Sequence, residues 1–106
     1  MIRVSIKTRK DLIESLEITG HADFLEKGRD IVCAAASLVG TGLLNALDDI
    51  APGKCELVKE ENRIYVKVLE NDSQIQTALH TGEIQYQTLS EAFPRYVKTK
   101  KTEVKL

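Results

Sequence analysis

The chain has 106 residues, 15 of them Lys or Arg and 16 Asp or Glu, with a formal net charge of −1. A domain of this length buries roughly two-thirds of its unfolded surface, so one core forms without disulfide staples. The balanced charge excludes a nucleic-acid binder acting through its overall field. The basic run Lys98-Thr99-Lys100-Lys101-Thr102 is read as a solvated end.

Two irregularly spaced cysteines, Cys33 and Cys55, and no basic-then-apolar leader imply a reducing, cytoplasmic setting with both thiols free. The longest apolar run, Ile31 to Leu47, is interrupted by Ser37, Thr41 and glycines and is read as too broken for a membrane span.

In chain order, Ile2, Val4 and Ile6 alternate with Arg3, Ser5 and Lys7, which predicts a strand with one buried face. Thr8 to Asp11 is the expected turn. Leu16 and Ile18 alternate with Ser15, Glu17 and Thr19 up to Gly20, a second strand antiparallel to the first. His21 stands where that strand ends. Ala22 to Arg29 carries no apolar period and is read as a mobile loop.

Ile31 to Ile50 is rich in Ala and Leu and predicts a central helix covered on most of its surface, ended by Pro52-Gly53. Cys33, Ser37, Thr41 and Asn45 recur every four residues, so one polar stripe runs along it. Cys55 to Glu60 and Arg63 to Leu69 predict a second hairpin around Glu61-Asn62. Ser73 with Gln76 fits a capping box, and Ile75, Leu79, Gly82, Tyr86, Leu89, Phe93 and Tyr96 predict a long helix ending or kinking near Pro94. Thr102 to Leu106 is a candidate short strand. The expected architecture is a single α+β domain, residues 1–106, in the order β-β-α-β-β-α, with an antiparallel sheet carrying both helices on one side.

Chemistry concentrates between Gly20 and Ser37, the stretch where a histidine and a cysteine fall close together. A thiol becomes a useful nucleophile when a helix N-terminus or an imidazolium lowers its pKa. Cys33, read as lying in the first helical turn, is placed for the first, and His21 for the second. The N–H groups of Cys33 and Ala34 are then candidate oxyanion donors. The plainer reading makes Cys33 a small buried hydrophobe and His21 a strand-end surface residue. Asp30 is read as the helix cap, and Ser37 as either a groove hydroxyl or one bonded to its own helix. Cys55 and His80 have no partner at ligand spacing, so no metal site and no cofactor is expected.

Gly20-His21-Ala22, a loop closing with Gly28, then Asp30-Ile31-Val32-Cys33-Ala34-Ala35 and Ser37, resembles the signature of the ribosomal-processing cysteine protease (Prp) family. The resemblance implies a cytoplasmic, homodimeric endopeptidase that removes a short N-terminal extension from a large-subunit ribosomal protein. It implies His21 as general base and Cys33 as nucleophile, with Gly20, Asp30, Ser37 and Ala34 supporting. The segment Ala22, Asp23, Phe24, Leu25, Glu26, Lys27, Gly28 and Arg29 becomes the loop that closes over the peptide. An apolar pocket beside Cys33 is implied, because the family cuts near aromatic residues. Many relatives carry glycine where Leu25 stands and an aromatic residue where Lys27 stands, which bears on how the peptide is read. The ribosomal precursor is the implied partner, and neither a membrane nor direct nucleic acid is. The competing reading is a non-catalytic ribosome-associated module that binds a peptide or RNA.

Overall fold

The computed structural model describes residues 1–20 and 27–105, with the side chains of residues 27–30 outside that description. Two antiparallel hairpins form the centre of the fold. Strand β1 (Ile2–Arg9) pairs with β2 (Leu12–Thr19) around Lys10 and Asp11, whose φ values of 52° and 66° make the tight two-residue turn whose twist suits a hairpin. A bulge interrupts this ladder: Lys7 faces Ser15 and Thr8 faces Ile13, which leaves Glu14 as the extra residue.

Strand β3 (Cys55–Glu60) pairs with β4 (Arg63–Val68), and β4 joins β2, giving the sheet order β3-β4-β2-β1-β5. The fifth strand, β5 (Val97–Glu103), lies parallel to β1. The sheet is therefore mixed, and the order is β-β-α-β-β-α-β, an α+β fold. The last strand starts five residues before the expected Thr102, because Lys98, Lys100 and Lys101 hide its alternation.

Helix α1 (Lys27–Ile50) crosses from β2 to β3, and α2 (Ser73–Ala92) from β4 to β5. One face of the sheet presents Ile2, Val4, Ile6, Leu16, Ile18, Ile64, Val66 and Val97 to Val32, Ala36, Leu43, Leu44 and Leu47 of α1 and Ile75, Leu79 and Tyr86 of α2, forming one core. At Gly40, α1 packs tightly on its neighbours: an added Cβ would meet Ile64 at 2.7 Å and the Tyr86 hydroxyl at 2.8 Å.

Four expectations about the helices are corrected. Helix α1 begins at Lys27, not near Ile31, so Asp30 lies inside it and is not its cap. Periodicity reports burial, and this polar first turn carries none. Only about a third of Ile31–Ile50 is buried, with Ile31 65 % and Leu38 75 % exposed, so α1 is covered on one side rather than all round. By length and composition this helix is also long and apolar enough to cross a membrane, contrary to the sequence reading; here Val32, Ala36, Leu43, Leu44 and Leu47 seal it against the core. Finally, α2 is capped by Asp72 rather than Ser73, with Asp72 Oδ1 accepting from the Ile75 N–H at 2.8 Å. Gln76 serves another purpose: its amide accepts from the Ile13 N–H at 2.8 Å and donates to the Ile13 carbonyl at 2.9 Å, tying α2 to the bulged strand.

Candidate active site

Strand register brings three segments to one end of the sheet. Thr19 pairs with Arg3 on one side and Arg63 on the other, so the exit of β2, the start of β1 and the β3–β4 turn lie side by side. The N-terminal half of α1 covers this end. Between them is a groove of about 580 Å³, walled by Ile2, Ile18 and Gly20, by Cys33, Ala34, Ala36 and Ser37 of α1, and by Lys59 to Ile64 across from the helix.

Gly20 makes its wall possible. Its φ of +99° is one that side-chain-bearing residues rarely adopt, and an added Cβ would stand 2.1 Å from the Met1 carbonyl oxygen. The chain can leave β2 along this path only with glycine there. Cys33 is half-buried and Ser37 exposed one turn further, so both members of the polar stripe that reach the groove present their side chains to it. Ala34 is exposed beside them.

The helix start changes the electrostatics expected of Cys33. As the seventh residue of α1, it lies in the second turn. The N–H groups of Cys33 and Ala34 are committed to carbonyls four residues earlier, and are not open oxyanion donors. Lys27, Gly28 and Arg29, expected in the loop, form the first helical turn, while Asp30 follows them. His21, Ala22, Asp23, Phe24, Leu25 and Glu26 lie outside the described residues.

The wall opposite the helix was not singled out by the sequence. Arg63 Nε donates to Glu17 at 2.7 Å and its Nη1 to Glu60 at 3.0 Å, and these carboxylates raise its pKa. Its guanidinium also lies 4.5 Å from the centre of the Tyr65 ring. Arg63 thus stiffens the hairpin wall, leaving Lys59, Glu61 and Asn62 as exposed polar groups there. The signal was available only through register, since nothing in the spacing of residues 59–63 marks them.

The second cysteine is separated from this chemistry. Cys55 opens β3 away from the groove lining, and burial, then the Asp72 carboxylate, push its thiol pKa up. An elevated pKa keeps it protonated and unreactive. Both cysteines are partly buried against the core, and Cys33 alone of the two also lines the groove.

The family model described as Cysteine protease Prp matches residues 1–98. A ribosomal processing cysteine protease Prp of Staphylococcus aureus is 30 % identical over 97 residues, covering 88 % of this chain and 92 % of that one. Its Bacillus subtilis counterpart is 46 % identical over 48 residues, covering 44 % of this chain and 43 % of that one. Among solved structures, Prp from S. aureus in complex with a substrate peptide superposes with a TM-score of 0.86 at 26 % identity, covering 95 % of this chain and 99 % of that one. The same protein with a covalently linked product peptide gives 0.84 at 27 % identity, with the same coverage. A groove floored by a half-open cysteine, on a fold shared over nearly its whole length with a peptide-cleaving enzyme, places this chain in the cysteine protease Prp family, as a cysteine peptidase.

Proposed function

We propose that the protein is an endopeptidase that removes the N-terminal extension of a large-subunit ribosomal protein precursor, with Cys33 as nucleophile and His21 as general base. The observation that carries this reading is that Gly20, the residue bonded to His21, lines the same groove as Cys33. The covalently linked product peptide in the S. aureus relative fits a mechanism through an acyl-enzyme.

In this mechanism the imidazole takes the Sγ proton, and the thiolate attacks the scissile carbonyl carbon. Collapse of the tetrahedral intermediate breaks the C–N bond, and the imidazolium returns the proton to the leaving amine. Water, deprotonated by the same imidazole, then attacks the thioester and frees the carboxylate product and the thiol. Because the N–H groups of Cys33 and Ala34 are spent in the helix, the oxyanion is assigned to other groove donors, the Ser37 hydroxyl and the Asn62 amide. The apolar floor of Ile2, Ile18, Ala36 and Ile64 suits an apolar or aromatic substrate side chain. In this reading Asp30 helps to shape the site, and residues 22–26 of the expected loop close over the peptide.

A cytoplasmic homodimer is part of the same proposal. Ile31 and Leu38, seven residues apart on the open side of α1, are the apolar side chains that a second copy would cover. Light scattering of wild-type protein and Leu38→Glu tests this, with a dimer lost to monomer as the expected result.

The cleavage test is to incubate the protein with the precursor and weigh the products. Loss of the extension with wild type and an intact precursor with Cys33→Ala is expected. Cleavage by Cys33→Ala would remove the nucleophile assignment, and no cleavage by wild type would remove the substrate.

A further inference from the structure

The side of the sheet turned away from the helices carries an ordered set of cations. On β1, Arg3 and Lys7 point outward, and on the parallel neighbour β5 so do Lys98 and Lys100, all four exposed. The register sets Arg3 beside Lys98, Lys100 beside Ser5 and Lys7 beside Thr102, so two cations lie side by side and the other two follow at successive levels along the strands. With strands about 4.8 Å apart and a rise of about 3.3 Å per residue, they span a strip about 13 Å long. Among the described residues none of the four has an ion-pair partner. The one carboxylate at the centre of this face, Glu17, is held by Arg63 at 2.7 Å. The sequence run of lysines near the C-terminus is thus joined, through parallel pairing, by cations from the other end of the chain.

Lysines on an edge strand commonly guard it against pairing with other chains, which accounts for Lys98 and Lys100. It does not account for Arg3 and Lys7, because β1 lies between β2 and β5 and is not an edge. We propose that this β1–β5 strip docks the phosphate backbone of RNA. Four exposed cations on two adjacent strands complement a line of phosphates. Among the described residues of this face, the aromatic ring is that of Tyr65, and the Arg63 guanidinium already lies over it. Binding is therefore to backbone charge, without base preference. RNA as the particular polyanion rests on the proposed processing of a ribosomal protein; the charge geometry does not. The strip begins at Arg3, next to Ile2 in the groove wall, so a protein seated on RNA would have its tail within reach of the groove while the strip holds the RNA.

The experiment is fluorescence anisotropy with a labelled oligouridine RNA from about 50 to 200 mM salt. Four single-strand phosphate contacts give a log–log salt slope of about −3. The pairs Lys98→Ala/Lys100→Ala and Arg3→Ser/Lys7→Ser, on different strands, should each reduce the slope by about 1.4, while Lys59→Gln, on the opposite face, leaves it unchanged. Both pairs should cleave free precursor at the wild-type rate and RNA-bound precursor more slowly. No binding at the lowest salt, an unchanged slope in both pairs, or equal binding of polyglutamate would overturn phosphate-backbone docking, and equal binding of duplex DNA would overturn RNA as the particular occupant. Cleavage of free precursor reports on the protease reading separately, so the two fail independently.

Discussion

The buried hydroxyl of Tyr86 donates to the carbonyl of Ala36 at 2.8 Å, joining α2 to the turn of α1 that carries Cys33 and Ser37. Burial alone pushes the phenol pKa far above its usual value, so this donor stays protonated. Tyr86→Phe should cost about 1 kcal/mol, the typical worth of a buried hydrogen bond. Gly40→Ala should cost about 1–3 kcal/mol through overpacking, since its Cβ would meet that same hydroxyl and Ile64. In the double variant the two penalties should sum to less than their parts, because removing the hydroxyl makes room for the methyl. Urea unfolding of all four proteins checks the coupling, and strict additivity would mean the steric contact with Ile64 dominates.

Gly20 offers no such relief. Gly20→Ala combines a backbone conformation unfavourable to alanine with an approach to the Met1 carbonyl that backbone must move to accommodate. A loss of about 1–3 kcal/mol is expected from the strained conformation. Cleavage should fall by more than the unfolded fraction explains, because the displaced segment is the one bonded to His21. Activity compared with the folded fraction by circular dichroism at the same temperature is the measurement.

The two thiols should separate by reactivity. Iodoacetamide near neutral pH is expected to modify Cys33 first, with Cys55 following as the pH is raised, because burial and then Asp72 push the Cys55 thiol pKa up. Peptide mapping of partly labelled protein gives the order. Faster labelling of Cys55 would contradict the proposal that Cys33 is the nucleophile.

Glu83 should contribute to acid sensitivity. Its side chain is 3 % exposed, and burial acts to raise its pKa, but Lys101 at 3.0 Å and His80 at 3.1 Å outweigh burial and hold it below the usual glutamate value. A carboxyl depressed on folding stabilises the protein above its unfolded pKa and loses that contribution as pH falls through the folded one. Glu83→Gln should therefore be less stable than wild type at pH 7, with the difference shrinking as pH falls below about 4.3, the ordinary glutamate value. Denaturant midpoints at a series of pH values decide it, and a pH-independent difference would assign the effect to packing.

The strands and helices that bury one face were legible in the sequence because alternation and four-residue spacing are records of burial. Ile2, Val4 and Ile6 gave β1 this way, and Ile75, Leu79 and Tyr86 gave α2. What lay on the surface was not legible. The first turn of α1 has no apolar residue to mark it, and the lysines of β5 read as a tail because an exposed edge strand needs little alternation. The groove was half visible: Gly20, Cys33 and Ser37 stood in one motif, whereas residues 59–63 joined them through the pairing of Thr19 with Arg63, a relation between distant segments that no local pattern encodes.

The parallel ladder between β1 and β5 sets an order of assembly. Thr8 and Glu103, bonded across it, are 95 residues apart, so this seam closes the longest loop in the domain. Until the last strand arrives, β1 is an unguarded sheet margin, and pulsed hydrogen exchange during refolding should find its β5-facing amides protected last. A nascent chain would therefore have its groove framed by four strands before its outer face acquires full charge, and completion of the final strand would close the margin on which a misfolding chain could otherwise recruit another.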